Sequence, residues 1–479
     1  MEAVATLLAG TLYGMLIGII PAAGATTGLV MLFGFMQYFI DPYLGVVFCM
    51  AVVAGSTTGD SITGILLGIP GANSAAATMV DGFPLALQGR ATYAISAAVF
   101  TSTVNGLLWG SLVFMLLPYY TGLLLYFGIP ELWAFTMLAL ATVGFVSSKW
   151  RIRSLTALVV GVLLGMVGVD PNTNEPRYTL GWFYLEDGIQ LMPVVAGLFA
   201  LPELLDALRN RTQTADVTGS QWQQTLDGLR ATWQHRWLAL RGGFIGAFIG
   251  VLPGLGGAMA DWMAYGQAVA TTPNANPPMG KGNIRGLIGP EGANNAQKAT
   301  SMLPTVLFGI PGAPFAAIIM ALFMYLDFEL GTLDLAYDTK FFDSMTFGFM
   351  WGTLIVGVLC LLFARYLGAI AHVPYRYYFP FLLLFICWAC LQYTGGWQDL
   401  FMLAVFTLVG IGCKQYKFSR PSLLIGFILA ERIEALSIQF TTIYSFDMLA
   451  DRWLFWGLLI AVVAVGYASI SRKSGIDYA

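Results

Sequence analysis

Residues 55–82 read GSTTGDSITGILLGIPGANSAAATMVDG, and residues 289–314 read GPEGANNAQKATSMLPTVLFGIPGAP. In each, a polar, glycine-rich start leads into a short apolar helix that stops at Gly-Ile-Pro-Gly, where a second helix begins. The shared core, LGIPGA at 67–72 and FGIPGA at 308–313, recurs at an offset of 241 positions. A second motif recurs in the same order. Gly14, Gly18, Pro21 and Gly24 of GMLIGIIPAAGATTG match Gly246, Gly250, Pro253 and Gly256 of GAFIGVLPGLGGAMAD at an offset of 232. Two different motifs repeated in order mark an internal duplication.

Composition says what surrounds these breaks. Of 479 residues, 57% are apolar or aromatic and 55 are glycine. Together they make up about two-thirds of the chain, against about 45–50% in soluble domains. Charged residues are 10%, too few to cover a water-exposed globule. The expected class is an all-α polytopic membrane protein, with about 10–13 spans plus shorter hairpins. The N-terminal MEAVATLLAG has no basic stretch before its apolar run, so it reads as a retained helix and not a cleaved signal.

The net charge of −3 and the absence of a basic stripe exclude nucleic acid as a partner. Two histidines, His235 and His372, are too few for a histidine-built metal site. Cys387 and Cys390 form a C-x-x-C in an apolar run with no second pair, which reads as packing. No cofactor and no resident metal is expected.

The longest polar stretch, 209–241, carries five arginines against Asp216 and Asp227. By the positive-inside rule it is a cytoplasmic linker. It divides a first membrane repeat (1–208) from a second (242–440), with a C-terminal transmembrane helix and tail at 441–479. The loops at 170–187 and 327–343 are acidic and fall outside. The loop at 81–91 counts as inside, whereas its counterpart at 327–343 is acidic, which favours inverted repeats. The similar helices starting near 154 and 421 both follow basic loops, which fits parallel copies.

A Gly-x-x-x-G helix alone signals close packing. The breaks say more. Pro253-Gly254-Leu255-Gly256-Gly257 cannot continue a helix without freeing backbone donors and acceptors, which membranes tolerate only where protein or a watery cavity receives them. Freed N–H groups at half-helix starts suit an anion and freed carbonyls suit a cation, the recurring geometry of carriers built from repeats. The expected substrate-binding residues are therefore Gly24, Ala25, Thr26, Gly71, Ala72, Asn73, Gly254, Gly256, Gly257, Asn294, Asn295, Gly312 and Ala313. The expected cation-binding residues are Ser56, Thr57, Thr58, Asp60, Pro290, Glu291 and Asn294.

The ionisable residues in these segments are Asp60, Asp81, Asp261, Glu291 and Lys298, each a functional candidate by default because a charge in the membrane is costly; of these, Asp81 reads as a loop residue capping a helix. Glu291 and Lys298, seven apart on one helical face, read as a possible structural pair. Sodium coupling needs only such oxygens, whereas proton coupling needs a titrating carboxylate. The pattern favours Na⁺, and a proton-coupled carrier is the alternative.

GIIPAAGATTG, GDSITGILLGIPGANSAAATMVDGFPLALQGRA and GNIRGLIGPEGANNAQKATSMLPTVLFGIPGA resemble the large membrane subunit of tripartite tricarboxylate transporters, the TctA family. The resemblance covers roughly 10–440. It implies a secondary carrier that imports organic carboxylates on an ion gradient, usually Na⁺, across the bacterial inner membrane. It also implies a small four-helix membrane subunit (TctB-like), a periplasmic solute-binding protein (TctC-like) and an elevator-type movement. The chain departs from the family pattern at Pro21-Ala22-Ala23-Gly24, in place of Pro-Gly-Leu-Gly, and at Gly289-Pro290-Glu291-Gly292, in place of Ala-Pro-Glu-Ala. Intramembrane enzymes fit less well: Thr57-Thr58-Gly59-Asp60 misses the first glycine of a Gly-x-Gly-Asp protease motif, and no H-E-x-x-H occurs. An anion channel also fits less well, because paired broken helices describe a gated site.

Overall fold

The computed structural model describes the whole chain except residues 21–23, 69–74, 125, 147–150, 171–174, 210–220, 254–255, 372–376, 378, 395 and 472–479. The described residues are almost wholly helical, with one two-stranded hairpin pairing Gly168–Val169 with Pro176–Arg177. The first half contains α1 (Glu2–Ile19), α2 (Gly24–Met36), α3 (Pro42–Leu67), α4 (Ala76–Leu85), α5 (Ala91–Leu124), α6 (Ile129–Val146), α7 (Arg151–Gly165), α8 (Leu191–Val195) and α9 (Leu201–Arg209). Then come α10 (Gln221–Gln234), α11 (Arg236–Val251), α12 (Gly256–Ala270), α13 (Ile284–Thr300), α14 (Met302–Phe308), α15 (Pro314–Tyr325), α16 (Leu333–Ala336) and α17 (Thr339–Ala371). The chain closes with α18 (Phe379–Thr394), α19 (Gln398–Tyr416), α20 (Arg420–Ile443), α21 (Phe446–Leu449) and α22 (Trp453–Ser471). Five helices are long and apolar enough to cross a bilayer, and six shorter apolar helices accompany them among the described residues.

The seam between α1 and α3 shows how a membrane core differs from a soluble one. α1 buries Gly10, Gly14 and Gly18 and leaves Leu8, Leu12 and Leu16 more than 40% exposed. Lipid solvates leucine as well as protein does, so helix association depends on close backbone approach. A Cβ at Gly14 would sit 2.5 Å from the Val52 carbonyl oxygen, and one at Gly18 would sit 2.4 Å from that of Ser56. α11 meets α13 the same way. A Cβ at Gly242 would lie 2.3 Å from the Gly289 oxygen, at Gly246 2.3 Å from that of Ala293, and at Gly250 2.7 Å from that of Gln297. Each of these pairs is the α1–α3 pair shifted by 232 on one helix and 241 on the other. The exposed Phe244 and Phe248 take the places of Leu12 and Leu16.

The halves are interlocked. The long α17 packs along α3, and the long α5 packs along α13. A Cβ at Gly348 would lie 2.6 Å from the Val47 oxygen, and one at Gly106 would lie 2.8 Å from Asn295 Cβ. α2 likewise lies on α15, and α12 on α4.

The 209–241 stretch is not a bare connector. Its described part forms α10 and the start of α11. α10 lies along α5, with Gly228 against the Tyr93 carbonyl and Thr232 Oγ1 3.1 Å from Thr101 Oγ1. On α9, Glu203 and Asp206 bind Lys414, and Glu203 also binds Arg420. Elsewhere Arg177 bridges Asp170 and Glu434, and Arg452 binds Glu131.

Candidate functional site

Four glycines in left-handed conformation mark the breaks. Gly24 (φ 55°) opens α2 and Gly256 (φ 71°) opens α12; Gly68 (φ 61°) ends α3 and Gly309 (φ 60°) ends α14. A side chain is strained at such φ values, so these helices stop where glycine allows. The Gly68 N–H donates to the Gly64 oxygen at 3.2 Å, and the Gly309 N–H donates to that of Pro304. The end of α1 is held from α3: the Thr63 hydroxyl donates to the Ile19 oxygen at 2.8 Å and reaches that of Gly18 at 3.2 Å. After the second break, Pro314 occupies the first turn of α15, and the Gly312 N–H donates to Thr305 Oγ1 at 3.2 Å.

Of the expected substrate-binding residues, Gly71, Ala72, Asn73 and Gly254 lie outside the described residues, as do Pro21 and Pro70. Gly24, Ala25, Gly257, Gly312 and Ala313 are buried, and Thr26 and Gly256 are half-buried. Packing of α2 on α15 and of α12 on α4 sets each helix that follows the first motif beside one that follows the other half's Gly-Ile-Pro-Gly.

The expected cation-binding residues sit on α3 and α13 and are all buried. The Ser56 and Thr57 hydroxyls donate to the Val53 oxygen at 3.2 and 2.6 Å, and Thr58 donates to that of Ala54 at 3.4 Å. They are satisfied by their own helix and keep lone pairs to offer. Asp60 is fully buried, and neither carboxylate oxygen has a hydrogen-bond partner among the described residues. Pro290 lies within α13. Glu291 Oε1 accepts from the Thr78 hydroxyl at 2.6 Å, while its Oε2 has no such partner. Asn294 is 1% exposed with neither side-chain atom hydrogen-bonded; the Asn295 amide donates to the Ser102 oxygen at 3.3 Å.

Asp261 on α12 belongs with this group, although it was not among the expected ligands. It is 1% exposed, and both its oxygens lack hydrogen-bond partners. Lys298 lies within electrostatic reach of Asp60 and Asp261, and its ammonium is 4.7 Å from the centre of the Phe315 ring. The pairing suggested for Glu291 and Lys298 therefore takes another form: Glu291 binds Thr78, and Lys298 faces the two aspartates. Glu291, Asn294, Asn295 and Lys298 share one face of α13 at the i, i+3, i+4, i+7 spacing, away from the face that α11 covers. The only advance signal for Asp261 was a carboxylate in an apolar helix shortly after a break.

Asp81 departs from its expected place. It lies within α4, not a loop, and its Oδ1 accepts the backbone N–H groups of Gly280, Gly282 and Asn283 at 2.7–2.9 Å. Its Oδ2 accepts from Tyr265 at 3.1 Å. Asp81 thus holds the loop that starts α13, some 200 positions away in sequence. A cleft of about 760 Å³ lies between the 165–191 segment and α15 and α20, away from the breaks.

The chain is 29% identical over 433 residues to an uncharacterised 52.8 kDa protein in the TAR-I ttuC' 3' region of Agrobacterium vitis, covering 89% of this chain and 84% of that protein. It is 28% identical over 233 residues to an uncharacterised protein in the TAR-II ttuC' 3' region of the same organism, covering 46% and 93% of the two chains. No solved structure matches. The model of the tripartite tricarboxylate transporter TctA family matches residues 4–425. With that match and its set of apolar helices, the chain is a multi-pass membrane protein and belongs to the tripartite tricarboxylate transporter TctA family.

Proposed function

We propose that the chain is the large transmembrane subunit of a binding-protein-dependent secondary transporter that imports organic carboxylates, tri- or dicarboxylate, on a Na⁺ gradient. The observation that carries this reading is the set of buried, unpartnered groups where helices of both halves meet: Asp60 from α3, Asp261 from α12 and Asn294 from α13. Asp60 and Asp261 share one ammonium, Lys298, and a buried carboxylate left uncompensated costs several kcal/mol, so a site of this kind gains from an added cation. Asp60, Asp261, the Asn294 oxygen and the hydroxyl lone pairs of Ser56 and Thr57 are suitable donors for Na⁺. The half-helix starts at Gly24, Gly256 and Pro314 offer N–H groups to the substrate carboxylates.

Matched glycine seams and matched left-handed glycines support two homologous repeats, and the charge of the loops favours an inverted arrangement. Two motif-bearing hairpins moving against a scaffold would give an elevator. The partners are a small four-helix TctB-like membrane subunit and a TctC-like periplasmic binding protein, and the location is a bacterial inner membrane.

The test is uptake of labelled citrate and succinate into proteoliposomes holding the chain with its small subunit, with the binding protein outside. Saturable uptake that collapses when the Na⁺ gradient is dissipated is expected. Uptake that ignores Na⁺ and follows an imposed pH gradient would replace this reading with proton coupling. Flux without saturation would replace it with a channel.

A further inference from the structure

We infer that a cleft at the ends of α5 and α13 is an anion-binding site on the cytoplasmic face, suited to a small carboxylate. The inference rests on the transport reading for its sidedness and for the class of anion. The cleft encloses about 330 Å³, at the small end of ligand pockets, which span ~300–1,000 Å³. Its lining includes Arg90, Tyr93, His235, Asn283 and Arg285. Two segments expected on the cytoplasmic side meet here. Gln224 of α10 accepts from the Tyr93 N–H and donates to the Gly89 oxygen, both at 3.2 Å, which brings α10 against the start of α5.

The charges around the cleft are one-sided. The Arg90 guanidinium lies 4.1 Å from the centre of the Tyr93 ring, and Arg285 stands beside His235. Among the described residues no acidic side chain lines the cleft, and Asp227 lies within electrostatic reach of Tyr93. Asp81 lies behind its wall with Oδ1 engaged by the three N–H groups of the 280–283 loop and Oδ2 by Tyr265. Asp227, further along α10, pairs with Arg230 at 3.5 Å. The start of α13 adds its dipole, with the Arg285 N–H donating to Asn283 Oδ1 at 3.0 Å. Two guanidiniums, an imidazole and a helix start without a facing acid make a receptor for a di- or tricarboxylate.

Burial, with Arg285 adding to it, holds the His235 imidazole below the usual histidine value. His235 therefore favours its neutral form, next to Arg90, Arg285 and Tyr93. A bound carboxylate offsets the Arg285 charge and favours protonation, so binding strengthens as the pH is lowered. A site with this chemistry at the release side would fill as the imported anion accumulates, and so would slow further import.

The test is calorimetric titration of citrate, succinate and inorganic phosphate into the detergent-purified full chain, at pH 7.5 and pH 6. Expected are citrate binding that tightens at pH 6, weakening of about tenfold in R285Q and in R90Q, and retention in R285K. In proteoliposomes, internal citrate is expected to slow uptake by the wild type and to slow uptake by R285Q less. Phosphate binding without citrate binding would overturn the carboxylate assignment, and citrate binding unaltered in both glutamine variants would overturn the site. Wild-type import with no such citrate binding would reject the inference alone. Arg285-dependent binding in a chain that imports on no gradient would reject the transport reading instead.

Discussion

The α1–α3 seam and the α11–α13 seam are built on the same spacing and carry different chemistry. Both bring glycine at four-residue intervals against the carbonyls of a neighbouring helix, at matched positions. On α3 the polar residues beside the seam are mostly hydroxyls that return their protons to their own helix, and Asp60 is the one charge. α13 presents Glu291, Asn294, Asn295, Gln297 and Lys298, most with unmet hydrogen-bonding atoms. The frame and its cargo chemistry are thus separable. Backbone approach fixes where the helices lie, and the polar residues beside each seam set the chemistry buried there.

If the seams are equivalent, filling either should be the most damaging change. G14V and G246V each put a side chain where a backbone oxygen already sits within 2.5 Å. We expect loss of most folded, monodisperse protein in size-exclusion chromatography, since overpacking costs ~1–3 kcal/mol or more where backbone cannot yield. G266A, whose added Cβ meets nothing within 4 Å, is the control and should behave as wild type. A variant harmed in one half only would break the comparison.

Next come the charges. D60N and D261N should each cut uptake at least about tenfold while leaving the detergent Tm unchanged or raised, because each removes one of two buried carboxylates that share the Lys298 ammonium. A fall in Tm with uptake retained would make these residues structural. The third contrast sharpens the difference between the two helices. N294A removes groups with no other partner, whereas T57V removes a hydroxyl that bonds its own Val53 carbonyl. Loss of uptake in N294A should therefore exceed that in T57V, both being inserted normally; equal losses would return Thr57 to full ligand status. The smallest effect is on stability: T78V frees Glu291 Oε1 and should lower Tm by a few degrees, in line with ~1–3 kcal/mol for an orphaned buried acceptor.

Much of this was legible from spacing. The offsets of 232 and 241 locate the contacting glycines in both seams, because a four-residue period on a helix can serve only one neighbour. Gly24 and Gly256, found as break residues, have the backbone that only glycine takes easily. What spacing could not reveal were contacts across halves. Asp81 looked like a local cap because its true partners at 280–283 are far along the chain. Asp261 stood alone in its helix, and only the fold brings it towards Asp60 and Lys298. The arginine-rich 209–241 stretch read as a connector because its apolar residues are few, yet α10 needs just one side to lie on α5.

The exchange of long helices between halves also bears on how the molecule is made. α3 is complete by Leu67, but its neighbour α17 begins only at Thr339. At ~5–20 residues per second, a ribosome needs on the order of tens of seconds to cover that distance. During this interval the 47–54 face of α3 must wait in the bilayer without its final cover.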